Sequence, residues 1–361
     1  MKTFNIGLVG CGFMGKTHTF GYKTIPLYYE NLPFKINLKC LCASSEESAK
    51  AAAQRLGYEN YTADFNDIIN DGTIDIVDIC TPNYLHSVIA VDALNHGINV
   101  LCEKPDAINV SEAQKMKSAA EKSGKTLMVI RNNRYMDMSA YLKQYIADGK
   151  MGEIYAARCG WQRRRGIPGK GGWFTTKEQS GGGPLIDLGV HMIDLSMWLM
   201  GNPTPVAVSG CTYEKFANSD ISDSANSRFG DVNADGVFDV EDLAMGFIRF
   251  DNGACMQIEF SWASNIEKER KFVEFRGTKS GAAWSTDDDQ LKIFGEEYGS
   301  TVDYLPNLEN YPHHHERNIR HFADVVLNGA EPMFTPQQGL NMIKILEGFY
   351  LSAKEGKEIT L

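Results

Sequence analysis

In "GGGPLIDLGVHMIDL" (residues 181–195), Asp187, His191 and Asp194 stand four and then three residues apart, behind three glycines and a proline. Residues at these intervals share one face of a helix, so the segment predicts an imidazole presented between two carboxylates. The combination suits proton transfer: a histidine near its ordinary pKa accepts a proton at neutral pH, and a neighbouring carboxylate orients the ring and stabilises its charged form. A second reactive candidate is Lys104 in "LCEKP" (101–105), preceded by Glu103 and followed by a proline that fixes the backbone. An ammonium there can hold an oxygen on which negative charge develops.

Such residues need a frame, and the first 130 residues describe one. "NIGLVG", "INLKCLC", "IDIVDIC", "INVLCE" and "TLMVIR" are short continuous apolar runs, as in strands buried on both faces of a parallel sheet. Helix-length segments such as "ESAKAAAQRLG" and "SEAQKMKSAAEKSG" alternate with them and close on glycine. That rhythm predicts a doubly wound Rossmann sheet. "GLVGCGFMG" then places Gly10, Gly12 and Gly15 at dinucleotide-binding spacing between strand and helix, with Phe13 and Met14 inside the turn. Free N–H groups at the start of the helix favour a pyrophosphate. Thr81, Pro82 and Asn83 of "TPNYLH" follow the strand "IDIVDI" and line the ligand crevice expected at the carboxyl ends of parallel strands. His86, Glu103 and Lys104 complete the expected cofactor side. At the end of the second strand, "LCASSEES" offers Ser44 to the cofactor ribose. Glu46 and Glu47 disfavour an extra phosphate, which favours NAD(H) and leaves NADP(H) open.

After about residue 150 the rhythm changes. "EIYAARCGWQRRR", "VAVSGCTYEKF", "LAMGFIRF", "ACMQIEFSWA" and "KFVEFRG" read as longer strands, with an Asn-Gly hairpin signal in "FDNGA". One helix, 184–200, starts on Pro184 and buries Leu188, Met192, Leu195 and Leu199; helices over 314–328 and 336–355 close the chain. The predicted fold is α/β: an NAD(P)-binding Rossmann domain over 1–130, then over 131–361 an α+β domain with a large open, mostly antiparallel sheet for substrate binding and oligomerisation.

The 361 residues carry a net charge of −10, which argues against nucleic acid and anionic membrane surfaces as partners. The first residues are too short and too glycine-rich a run for a signal peptide, and no segment is apolar enough for a membrane span. Eight scattered cysteines without CxxC spacing read as reduced thiols of a cytoplasmic protein. "DVNADGVFDVED" (231–242) matches much of an EF-hand loop through Asp231, Asn233, Asp235, Gly236, Asp239 and Asp242. It lacks the entering helix and reads as an acidic hairpin loop. Adjacent histidines at 313–315 point in different directions, and no metal is assigned.

"GCGFMG", "TPNYLH", "EKP" and "GGGPLIDLGVHMIDL", in this order and at these intervals, resemble the glucose-fructose oxidoreductase/inositol dehydrogenase/MocA family. The resemblance extends through "VEDLAMGFIRFDNGA" and "HFADVVLNGAEPMFTPQQGL" and covers essentially the whole chain. It implies an NAD(P)-dependent oxidoreductase acting on a sugar or polyol, with Lys104, Asp187 and His191 around the carbinol carbon in an active site between the domains. It also implies that Asp194 contacts substrate hydroxyls and that the glycines leave the sugar room. Residues of "RNNRY" contact substrate in this family, which here points to Asn133 and Arg134; some members have Arg-Arg at that position. In "GWQRRR", Trp161, Arg163 and Arg165 alternate to one face and Arg164 to the other. Trp161 can stack on a sugar ring and Arg163 can bind hydroxyls or an acid group, or the face is covered by a partner subunit. The resemblance implies a homo-oligomer, dimer or tetramer. Two alternatives stay open: an NAD-dependent glycoside hydrolase using transient redox, and a catalytically silent dinucleotide-binding regulator.

Overall fold

Continuous apolar runs separated by amphipathic segments can bury both strand faces only if helices cover the two sides of a parallel sheet. The computed structural model, which describes residues 1–217, 219, 232–233, 235–309 and 314–361, has that arrangement. Its first part runs β1 (Lys2–Val9), α1 (Phe13–Tyr28), β2 (Phe34–Cys42), α2 (Glu46–Leu56), β3 (Asn60–Thr62), α3 (Phe65–Asn70) and β4 (Ile76–Ile79). It continues with α4 (His86–Asn95), β5 (Asn99–Cys102), α5 (Val110–Ser123) and β6 (Leu127–Val129). The six strands pair in parallel in the order β3-β2-β1-β4-β5-β6. The order reverses between β1 and β4, and there the glycine turn after β1 meets the segment after β4. β3 and α3 are too short to show a period in the sequence.

The second part runs α6 (Asp137–Ala147), β7 (Ile154–Gln162), α7 (Lys177–Ser180), α8 (Val190–Leu199), β8 (Pro205–Tyr213), β9 (Leu243–Phe250) and β10 (Cys255–Ser261). Then follow β11 (Arg270–Gly277), β12 (Gly281–Ser285), β13 (Leu291–Glu297), β14 (Ser300–Tyr304), α9 (His314–Asn328), α10 (Pro336–Glu355) and β15 (Ile359–Thr360). Nine strands form one sheet, β14-β13-β12-β11-β7-β10-β9-β8-β15, antiparallel throughout except for the parallel β7/β10 pair. β12 to β14 extend the sheet beyond the five strands read from the sequence.

Residues 1–132 and 312–340 form one compact unit; residues 133–311 and 341–361 form the other. A single cut at residue 130 therefore misses that α9 belongs with the first unit, where a Cβ on Gly21 of α1 would meet Ile319 of α9. In the second unit α10 docks by inserting the fully buried Phe349 against Gly210 of β8 and Gly246 of β9, where any Cβ would collide with its ring. All eight cysteines are free thiols, and no helix among the described residues is long and apolar enough to cross a membrane. Phe349→Ala should cost about 3–5 kcal/mol of stability, because the two glycines opposite leave nothing to refill the space. Urea denaturation followed by circular dichroism would measure the loss.

Candidate active site

The sequence leaves the helix over 184–200 as one continuous element, but the structure winds Leu185–Gly189 as a wider π-type turn before α8 begins. Asp187 lies in this turn, while His191 and Asp194 lie in α8. From Gly182 to Leu199 only Asp187 and His191 reach the surface; every other residue is buried. Asp194 lies about 60° round α8 from His191, at the edge of their face, and turns inward. It is buried, and its two oxygens accept from Arg134 Nε at 2.8 Å and Nη2 at 2.7 Å. Both residues were expected on the substrate. Instead they form a bidentate ion pair, with Arg134 only 2% exposed.

Asp187 is held from the sheet side: its Oδ2 accepts from Trp262 Nε1 at 3.0 Å. The His191 ring lies 6.0 Å from that of Trp161, centroid to centroid, with the planes inclined at 51°. Arg163 stacks its guanidinium 5.1 Å above Trp161. Arg165 departs from this face, because β7 pairing ends at Gln162; its guanidinium bonds Ser264 O and Asn265 Oδ1. Asn133 bonds weakly to His191 O, at 3.5 Å, and its Oδ1 accepts from Lys271 Nζ at 3.3 Å.

Two of the three glycines, Gly182 and Gly183, are packed against other side chains. A Cβ at Gly182 would run into the Tyr350 hydroxyl, and one at Gly183 into Glu241 O. The Glu241 carboxylate accepts from Gly183 N at 2.9 Å, Leu185 N at 3.1 Å and the Tyr350 hydroxyl at 2.9 Å. Burial pushes the Glu241 carboxyl up, against these hydrogen bonds. A buried carboxylate thus caps the start of the reactive turn, and the glycines admit it. Of the EF-hand-like loop, Asp231 lies outside the described residues. Asp239 Oδ1 accepts from Lys177 N and the buried Asp242 from Lys215 N and Phe216 N, so these acids act as separate backbone anchors.

In the first unit the glycine turn fits a dinucleotide. Gly10 sits at φ +99° against Cys80 O, and a Cβ on Gly15 would strike Gly10 O, so turn and helix pack too closely for side chains. Gly12 faces open space: nothing lies within 4 Å of a Cβ built there. It begins α1 with no side-chain cap and no acid in the first turn, which leaves N–H groups directed at an anion. Thr81 Oγ1, just after β4, is shielded from solvent and lacks a hydrogen-bond partner. Phe13 and Ser44 are exposed and Met14 half-buried, while Ala43 is buried at the end of β2. Ser45 caps α2 by accepting from Ser48 N.

From Val100 to Ala107 only Lys104 reaches the surface, and each of its neighbours is anchored. Glu103, expected at the cofactor, is buried: Oε1 meets His18 Nε2 at 3.0 Å and Oε2 accepts from Lys104 N at 3.0 Å. His86, also expected at the cofactor, is fully buried with Nδ1 2.7 Å from Pro105 O and Nε2 3.0 Å from Thr81 O, so it staples the two loops together. Asp106 pairs with Arg131, which lies over the Phe334 ring.

His18 went unnoticed in the sequence, although an acid, Asp78, inside the apolar run "IVDIC" (76–80) signals a buried partner. Its Nδ1 lies 2.9 Å from both oxygens of Asp78, and Tyr22 donates to Asp78 at 2.8 Å. With carboxylates on both ring nitrogens, the ring carries both protons. Burial is the largest single influence and opposes that charge, but Asp78 and Cys80 together outweigh it and hold the His18 pKa well above 6.5. Burial would likewise raise the Glu103 carboxyl, yet the hydrogen bond and charge of His18 bring it to about 2. Among the described residues His18, Asp78 and Cys80 have metal-ligand types within reach of one another, and these hydrogen bonds account for the grouping. His313 lies outside the described residues; the His315 ring is 6.3 Å from that of His18, and burial lowers its pKa to about 4.

Comparison with known proteins agrees with this geometry. The model of an oxidoreductase family with an NAD-binding Rossmann fold matches residues 4–131, and that of its C-terminal α/β domain matches residues 143–361. The chain belongs to the glucose-fructose oxidoreductase/inositol dehydrogenase/MocA family. It is similar to a levoglucosan dehydrogenase of Pseudarthrobacter phenanthrenivorans, 32% identical over 300 residues that cover 81% of this chain and 76% of the relative. It is also similar to a D-glucoside 3-dehydrogenase of Escherichia coli, 30% identical over 327 residues and 90% of each chain. A solved levoglucosan dehydrogenase in complex with NADH and levoglucosan matches with a TM-score of 0.87 at 26% identity, covering 100% of this chain and 99% of that one.

His18→Leu would leave two buried carboxylates without their cation and should cost about 3–5 kcal/mol, read from urea denaturation at pH 6. Because the folded pKa is raised, the His18 contribution is present in full below the unfolded value of about 6.5 and is lost as pH rises through the folded value. Wild-type stability should therefore fall on the alkaline side; a flat profile there would contradict the assignment.

Proposed function

We propose that the protein is an NAD-dependent dehydrogenase that transfers hydride at a secondary carbinol of a sugar, polyol or related cyclic substrate. The observation that carries this is the exposure pattern: in two otherwise sealed segments, the residues left at the surface are Lys104 and the pair Asp187 and His191. NAD, which the turn at Gly10, Gly12 and Gly15 would hold, would supply the hydride acceptor. A ring nitrogen of His191 takes the hydroxyl proton, or returns it in the reductive direction. Asp187, fixed by Trp262, orients and stabilises the imidazolium. Lys104 donates to the carbinol oxygen and stabilises its alkoxide character. Asn133, Trp161 and Arg163 contact the rest of the substrate, whereas Arg134 and Asp194 support them from the interior.

The first unit is the cofactor domain and the second the substrate domain. Exposed Glu46 and Glu47 in the first turn of α2 favour NAD over a phosphorylated form. The relatives named above are dehydrogenases, which supports net redox chemistry over redox-assisted glycoside cleavage or a regulatory role. We also retain a cytoplasmic homo-oligomer; the exposed Met245 and Phe247 on β9 suit sheet-face burial.

Titration with NADH and NADPH, followed by a screen of sugars and polyols with the preferred oxidised form, should give tight NADH binding and net cofactor reduction. His191→Asn and Lys104→Met should each lower kcat by about 10²–10⁴-fold while NADH still binds. Full turnover in both variants, or no net reduction with any sugar or polyol, would contradict the proposal.

A further inference from the structure

Strand alternation places Lys271 on an unusual side of the large sheet. It pairs directly with Trp161, while Val273 pairs with Cys159 and Phe275 with Ala157. The partners at both of those next same-face positions are buried, so Lys271 extends an apolar face that turns inward, at the end where Trp161 meets His191. Its ammonium lies 3.3 Å from Asn133 Oδ1, 4.9 Å from the centroid of the Trp161 ring and 5.5 Å from that of Trp284. Lys271 thus shares one side-chain cluster with Asn133, Trp161 and His191. The sequence did not single it out, because one lysine in "ERKFVEFRG" reads as a solvated face. The same-face series Lys271, Val273, Phe275 is the signal that was there.

The cluster brings no carboxylate into ion-pair contact with Lys271. Among the described residues no carboxylate stands within ion-pair distance of its Nζ. Glu269 serves Trp161 Nε1 at 3.1 Å and Arg163 at 4.0 Å, and Asp289 accepts from Trp284 Nε1 at 3.1 Å. Of the three ammonium donors, one meets an amide oxygen; the others have indole faces, which attract a cation more weakly than an anion does. Burial lowers the Lys271 pKa to about 8, against the pull of Asp289. Removing an ammonium from water without a paired anion is costly, yet the residue remains partly exposed and within reach of a ligand. The missing partner is an anion that arrives from outside.

We propose that Lys271 is a substrate-recognition residue whose ammonium binds a carboxylate carried by the sugar or polyol. The inference rests on the proposed function, in that Asn133, Trp161 and His191 mark the substrate side of the second unit. It narrows the substrate class to sugar acids, such as uronates and aldonates. The planar carboxylate would complete the donor set of Lys271, and the apolar ring face of the sugar would lie against Trp161.

The test compares two probes that differ only in the acid, methyl β-D-glucuronide and methyl β-D-glucoside, titrated calorimetrically into NADH-loaded protein. In the wild type the glucuronide should bind roughly ten- to a hundredfold more tightly, the range of one charge-assisted hydrogen bond. Lys271→Met, which keeps the aliphatic stem against the indoles, should collapse that ratio to near one, and Lys271→Arg should keep most of it. Equal binding of the two probes by wild type, binding of neither, or a preference that survives in Lys271→Met would overturn the proposal. The wild-type comparison needs no variant to fold. NADH binding, measured beforehand by fluorescence, separates the two failures: absence of NADH binding counts against the dehydrogenase, whereas NADH binding and turnover of neutral sugars without acid preference counts against Lys271 alone.

Discussion

An imidazolium sealed between two carboxylates fixes the backbone of the cofactor-side unit. His18 comes from the helix that starts at the glycine turn, Asp78 from the strand leading to Thr81, and Glu103 from the strand leading to Lys104. Three segments that must keep register for cofactor chemistry are thus joined at one ring. Each of these charges alone would be expensive to bury, and the arrangement is tolerable only because every nitrogen and carboxylate is engaged. The second oxygen of Glu103 holds the amide of Lys104, so the network reaches the backbone of the lysine proposed to meet the substrate oxygen.

The second unit uses the same physics with different residues. Arg134 and Asp194 neutralise each other behind α8, and Glu241 closes the amides at the start of the π-type turn. Once these polar groups are paired in the interior, few are left at the surface. Asp187 and His191 reach the surface, whereas Asp194, about 60° round α8 from His191, is locked inside by Arg134. Neighbouring residues of one short segment are therefore divided between two environments: the pairs inside hold the backbone, and Asp187 and His191 reach the surface.

Much of this was legible in the sequence. The parallel sheet follows from apolar runs and closing glycines, and the dinucleotide turn from the spacing of Gly10, Gly12 and Gly15. Lys104, Asp187 and His191 stood out by residue type, interval and family resemblance. What escaped was long-range pairing. Helical spacing alone could not tell that Asp194 faces Arg134, because the three-residue interval leaves it about 60° round α8 from His191 and its partner lies 60 residues away in the chain. His86 and Glu103 sit inside motifs that resemble cofactor contacts, yet their polar atoms are used within the protein. The glycines at 182 and 183 look like room for a ligand until Tyr350 and Glu241, from distant parts of the chain, are seen to fill it. Strands β12 to β14 carry too few apolar residues to register as a pattern, and they are ordered by pairing with β11 and with one another.

The central claim is that the reactive loops are positioned by paired charges in the interior, with His18 as the cation of the first unit. Nitrogen-15 NMR of the histidine side chains at pH 8, with His18 assigned through a His18→Gln variant, tests it most directly. Protons on both ring nitrogens, with couplings to Asp78 and Glu103, are the predicted result. A single-proton neutral ring at that pH would contradict the account.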